Sequence, residues 1–211
     1  MKKSNITLIV VIIVIIVAIV AILFGVCSAV YYNGFVSREQ EVDAAWAKVE
    51  VQYQRRLDLI PNLVETVKGY ASHESNTLES VTRARAGLSD AYNTADSLRN
   101  AASVPGNTAA FESYNAAQSS LNRALSIYVN AVHEAYPDLK ANTNFMNLQT
   151  QLEGTENRIA TERGRYTDVV KQYNTSLRRF PRNIFAGIFG FSPKPQFQAE
   201  EAAQSAPKVQ F

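Results

Sequence analysis

The sequence is poor in the residues from which most catalytic centres are built. It has one cysteine, two histidines and nine glycines in 211 residues. The cysteine, Cys27, follows an apolar run, so an internal disulfide framework and a multi-thiolate zinc site are both excluded. The histidines, His73 and His133, do not complete a helical metal pair. Thr77 stands four residues after His73, where a zincin motif needs its second histidine, and Asn130 stands where a Glu-x-x-His pair would need its carboxylate. The glycines are scattered, and no phosphate-cradling loop or G-x-S-x-G turn is present. These absences point away from an enzyme and from any bound metal or cofactor.

Excess charge is missing as well. Setting aside Lys2 and Lys3, the 21 basic residues become 19, equal to the 19 acidic ones. A neutral domain lacks the phosphate-neutralising surplus of a general nucleic-acid binder, so nucleic acid is not an expected partner.

One long hydrophobic run is present. Every residue from Leu8 to Val26 is Val, Ile, Leu, Ala, Phe or Gly, and no charge lies between Lys3 and Arg38. About 20 such residues at about 1.5 Å each cross a hydrocarbon core of roughly 30 Å. Residues 1–30 therefore read as a transmembrane anchor in the cell membrane, crossing once. A signal peptide cleaved near "CSAV" is the competing reading, but its apolar stretch is normally only about 7–15 residues. A lipoprotein using Cys27 would need a small residue where Val26 stands. Lys2 and Lys3 favour a cytoplasmic N-terminus and an extracytoplasmic domain.

Beyond the run, the hydrophobic period becomes that of amphipathic helix. Val42, Trp46, Val49, Tyr53, Leu57, Ile60, Val64, Val67 and Ala71 form one stripe. Phe111, Tyr114, Leu121, Leu125, Tyr128 and Val132 form a second, and Phe145 to Phe180 a third, including Leu152, Ile159, Tyr166, Val169 and Tyr173. No segment alternates like a strand. The expected class is all-α: an N-terminal transmembrane helix followed by a long-helix, up-and-down four-helix bundle over residues 31–191. Ser37 and Gln40 form a capping box that predicts a helix start, and Asn107 or Thr108 is the next candidate cap. Pro61 and Pro137 each allow a kink or a corner. Corners at both give helices at about 36–60, 62–103, 108–135 and 138–179; kinks at both give one long hairpin. The Pro-, Gln- and Ala-rich stretch 192–211 reads as a disordered tail.

Two groups of residues stand out. His73, Glu74, Glu162 and Arg163 interrupt or extend apolar stripes and are candidates for a polar core network that fixes register, while Arg55 and Arg56 fall on the rim of theirs. Phe180, Ile184, Phe185, Ile188, Phe189 and Phe191 crowd into "RRFPRNIFAGIFGF" beside Arg178, Arg179 and Arg182, which reads either as a chain end folding back onto the bundle or as a contact with lipid or a partner. On a helix, Phe185 and Phe189 point away from the Ile184–Ile188 line.

The stretches "VDAAWAKVEVQYQRRLDLIPNLVETVKGYASHESNTLESVTRARAG", "LQTQLEGTENRIATERGRYTDVVKQYN" and "FPRNIFAGIFGF" closely resemble the LemA family, over about residues 20–191. The chain departs at Tyr166-Thr167, where the family more often has Tyr-Asn. The resemblance implies a membrane-anchored helical bundle and supplies no catalytic residues. The expected role is a non-enzymatic scaffold or adaptor of the cell envelope, bound to the bilayer and to a protein partner there, a membrane protease or sensor among the candidates. The alternatives are a self-assembling homo-oligomer or membrane-surface protein, and a sensor of a peptide or small ligand.

Overall fold

The computed structural model of the chain describes residues 2–71, 79–99 and 104–198. Its helices are α1 (Lys2–Ala71), α2 (Glu79–Arg99), α3 (Thr108–Ala135), α4 (Thr143–Arg178) and α5 (Arg182–Phe189), with short 3-10 turns at Val104–Gly106 and Pro137–Ala141. No strand occurs among the described residues. The class is all-α, as the periodicity predicts.

The two prolines behave differently. Pro61 lies inside α1, so the first corner is not there. It is exposed, while Leu57, Leu59, Ile60, Leu63 and Val67 around it are buried. An interior proline costs about 3 kcal/mol, which burial of several such side chains at roughly 1.5–3 kcal/mol each offsets. Pro137 is a corner. It forces the preceding Tyr136 out of the helical region, to φ −129° and ψ 77°, and Tyr136 N–H closes α3 on Val132 O at 2.8 Å. The chain then turns through Pro137–Ala141 with Leu139 buried, and Asn142 Oδ1 caps α4 by accepting from the amides of Asn144 and Phe145. Asn107 caps α3, accepting from Ala110 N at 3.2 Å.

The helix start expected at Ser37 is absent, because α1 runs unbroken through it. A capping side chain competes with the helical ladder only where the ladder is already ending. Here helix continues on both sides, and stopping it at Ser37 would forfeit several laddered backbone hydrogen bonds for a single cap.

The described residues fall into two compact units. The first comprises the chain up to Glu41 with Lys171–Pro193; the second comprises Val42–Val170 and the chain from Lys194.

The second unit is the four-helix bundle. Trp46 beside Phe111, Tyr53 beside Tyr114 and Tyr70 beside Tyr136 show α1 and α3 running parallel. Phe111 beside Tyr166 and His133 beside Phe145 show α4 running against them. Ile60 and Val64 share a hollow with Leu88 and Tyr92, and Ala71 one with Val81, so α2 also runs antiparallel to α1. The order is up, down, up, down. A core from Leu57 and Leu63 through Leu88, Leu121, Leu125 and Val132 to Phe145 and Leu152 holds it together. On α4 the buried valine is Val170, one residue beyond the expected Val169.

In the first unit α5 packs on α1. Gly190, at φ +76°, ends α5 in the left-handed conformation that glycine adopts without a Cβ penalty. The reversal lets Phe191 N–H return to Ala186 O at 3.0 Å. α1 is the one helix among the described residues long and apolar enough to cross a membrane, and its apolar side chains are exposed from Leu8 to Val26.

Candidate functional site

The aromatic segment divides into two faces. Phe185 is buried between Phe24 and Tyr31 of α1, at ring separations of 5.2 and 5.0 Å. Phe189 meets Tyr32, and Phe191 meets Tyr32 and Phe35. The Arg182 guanidinium stands over Tyr31 at 5.7 Å. Phe180, Ile184 and Ile188 face outward, 82%, 49% and 60% exposed. Phe185 and Phe189 lie off the isoleucine line as expected, but theirs is the face that docks on α1, so of the candidate lipid or partner contacts Phe185 and Phe191 pack within the chain while Phe180, Ile184 and Ile188 stay exposed. Phe180 follows the end of α4 rather than closing its buried stripe.

His73 and Glu74 lie outside the described residues. Glu162 pairs locally with Arg165 at 2.6 Å, and one of its oxygens is buried without a hydrogen-bond partner among the described residues. Arg163 lies over the Phe197 ring at 4.3 Å.

The polar network that the described residues form is centred on Arg56, which is 2% exposed rather than on the rim. Its Nη1 donates to Glu156 Oε1 at 2.8 Å, and its Nη2 donates to Gln118 O at 3.1 Å and to Gln118 Oε1. The guanidinium also lies 5.4 Å from the Tyr53 ring centre. Arg56 Nε, Tyr53 Oη, Tyr114 Oη and Gln118 Nε2 are buried without hydrogen-bond partners among the described residues. Burial pushes the Tyr53 hydroxyl upward, with Arg163 and Arg56 opposing. Burial, helped by Tyr53 and Glu50, raises Tyr114 to about 12, with the nearby Gln118 side chain opposing. Both phenols are therefore neutral donors at physiological pH, in a setting that favours hydrogen bonds over ions.

A signal for Arg56 exists in the sequence. It continues the spacing 49, 53, 56, 60, 63, 67, and Gln118 fills the gap between Tyr114 and Leu121 in the second stripe. A charged or amide residue at a stripe position, matched by one on each facing helix, marks a buried polar cluster.

Next to this cluster is an aromatic cage. Trp46 from α1, Phe111 from α3 and Tyr166 from α4 are mutually in contact, with ring separations from 5.5 to 6.0 Å. Phe197 enters among them, 4.9 Å from Phe111, 5.4 Å from Tyr166 and 6.2 Å from Trp46, on which it stacks. The Tyr166 hydroxyl donates to Pro195 O at 3.1 Å. Burial and the Asp43 carboxylate raise the Tyr166 hydroxyl well above its ordinary range, keeping it a donor. The tail thus makes specific contacts through Pro195 and Phe197, where composition predicts disorder from Ser192. One aromatic ring with a matching cage outweighs the polar average around it. A groove of about 640 Å³ runs alongside, lined by Thr108, Glu112, Asn115, Ser119 and Arg123 on one side and by Pro195, Gln196 and Gln198 on the other.

Among the described residues no group of three or more His, Cys, Asp or Glu side chains could hold a metal ion. His133 packs edge-on against Phe145.

The LemA family profile matches residues 45–211, which include the Arg56 cluster, the cage and the tail. The chain belongs to the LemA family. The matched range begins after the apolar run and continues past 191, so it is shifted toward the C-terminus from the 20–191 resemblance. Among curated LemA-like proteins, the chain is 28% identical over 183 residues to the magnetosome proteins MamQ 1 and MamQ 2 of Paramagnetospirillum magneticum, covering 82% of this chain and 67% of theirs. It is 26% identical, over the same shares, to the magnetosome protein MamQ of Magnetospirillum gryphiswaldense.

Proposed function

We propose that this LemA-family protein is a membrane-anchored adaptor: α1 crosses the bilayer through its apolar run, and the bundle offers a binding scaffold to a protein at the same membrane. The observation that carries this reading is the docking of α5. Phe185 packs on Phe24 and Tyr31, where the apolar run of α1 gives way to polar sequence. With α1 spanning the bilayer on this reading, exposed Phe180, Ile184 and Ile188, with exposed Arg178 and Arg179, would lie at the level of lipid headgroups. Large apolar side chains beside arginines are the composition of an interfacial helix. Lys2 and Lys3 orient the N-terminus to the cytoplasm and the bundle to the outside. The MamQ relatives support a place at a cellular structure, without naming what this chain binds there.

The experiment is photocrosslinking from positions 184 and 188 and from bundle position 115 in the intact membrane. Lipid adducts at α5 and a discrete protein adduct from the bundle are expected, with the protein resisting carbonate extraction. Extraction by carbonate, or a soluble form lacking the apolar run, would defeat the anchor.

A further inference from the structure

We infer that the Trp46–Phe111–Tyr166 cage is a peptide-recognition site, and that Pro195–Gln198 is its exchangeable internal ligand. The ligand class is an extended segment of a partner protein presenting an aromatic side chain two residues after a free backbone carbonyl. This deepens the adaptor reading by naming what the bundle would bind.

Three observations carry it. The cage belongs to the helices: its rings come from α1, α3 and α4 and touch one another directly as well as touching Phe197. Its occupant comes from a segment without regular secondary structure, in which Phe197 is only half-buried and Gln198 is exposed. The contacts read peptide features rather than fold features: a ring among rings, a guanidinium over its face from Arg163, and a tyrosine hydroxyl on the Pro195 carbonyl. The groove along α3 extends the site. Glu112, Asn115, Ser119 and Arg123 offer donors and acceptors suited to a passing backbone, and the tail now forms its opposite wall. Aromatic anchors in preformed pockets dominate recognition of this kind. Because the segment is covalently tethered, its effective concentration is about millimolar, so an external peptide binds the intact chain far more weakly than a chain whose own anchor has been removed.

Trp46 is the sole tryptophan and stacks on Phe197, so it reports occupancy directly. The test is the full chain in detergent micelles carrying Phe197→Ala, titrated with the blocked peptide SPKPQFQ, the sequence of residues 192–198. Saturable return of Trp46 emission toward the wild-type spectrum is expected, with no response to SPKPQAQ and at least a roughly tenfold weaker response in wild type. Equal responses to both peptides, or none in a folded variant, would overturn the proposal. Should Phe197→Ala fail to fold, a protease sequence inserted after Ser192 and cut after folding releases the segment. Uptake of labelled SPKPQFQ by the cut chain supports the proposal. No uptake, or loss of helical signal, makes Phe197 a core residue and overturns it. Concentration-dependent dimers that vanish in Phe197→Ala would assign the site to a second copy and overturn the partner assignment. Carbonate extraction and the lipid adducts from positions 184 and 188 do not involve this site, so the anchor in the adaptor reading and this proposal can fail separately.

Discussion

Replacing Arg56 tests whether the bundle depends on its buried cation or on the ion pair that the cation makes. Arg56 is 2% exposed, and Glu156, its partner at 2.8 Å, is 31% exposed. Arg56→Ala removes the guanidinium and its stem from the core. It also strands Gln118 Oε1, a buried acceptor costing about 1–3 kcal/mol when unpaired, and takes a second donor from Gln118 O, which keeps its helical bond. The volume lost adds a cavity term. A total of about 3–5 kcal/mol follows, in the range for breaking a buried pair from its buried side. At about 2–4 °C per kcal/mol for a domain of this size, the midpoint should fall by roughly 10 °C. Glu156→Ala removes the same ion pair from its wet end. The residual Arg56 keeps both Gln118 bonds, and solvent screening holds the loss to about 1 kcal/mol. The assay is thermal unfolding of the detergent-solubilised protein, followed by circular dichroism and Trp46 emission together. Equal losses for the two variants would refute the reasoning, because the ion pair and not the burial of Arg56 would then dominate. Arg56→Met, which restores volume without charge, should fall between them.

Other expectations follow from single contacts. Phe185→Ser should lower the melting temperature by removing the ring buried on Phe24 and Tyr31, whereas Ile184→Ser with Ile188→Ser should leave melting unchanged and weaken binding to anionic vesicles; the reverse pattern would move the lipid face to the phenylalanines. Gly190→Ala should cost about 1 kcal/mol, read in the same melts, because its φ of +76° places a Cβ against the following carbonyl. Tyr114 and Tyr128 are both raised to about 12 by burial, so an unfolded chain loses these protons near pH 10 while the folded chain keeps them. Stability is thus fully present below pH 10 and declines between about 10 and 12, and ultraviolet titration should show a late tyrosine group ionising only with the loss of helical signal. All ten tyrosines titrating together near 10 in a folded chain would contradict this.

The sequence made the helices legible because each stripe keeps its period over several turns, and burial rewards that period directly. Corners depend on local backbone chemistry, and there the signals differ in strength. Asn107 and Pro137 act alone: a capping oxygen within reach of a free amide, and a ring that evicts Tyr136 from helical space. Ser37 and Pro61 carry equally visible signals but are overruled. The helix on either side of each has more to lose by stopping than the local signal has to gain, so α1 continues through both.

The candidate sites show a different limit. Charge ordinarily marks the rim of a stripe, which hides Arg56, although its spacing places it in the stripe. What decides burial is the presence of partners, and those partners, Gln118 and Glu156, are 62 and 100 residues away in sequence. Phe197 was hidden by averaging. A tail of proline, glutamine and lysine lacks the apolar surface to fold by itself, and composition measures only that. It cannot register that one ring has a counterpart in Trp46, Phe111 and Tyr166, which come from three separate helices and meet only after the bundle forms. A single anchor of this kind holds a segment in place without folding it, and the same property is what would leave the segment free to exchange.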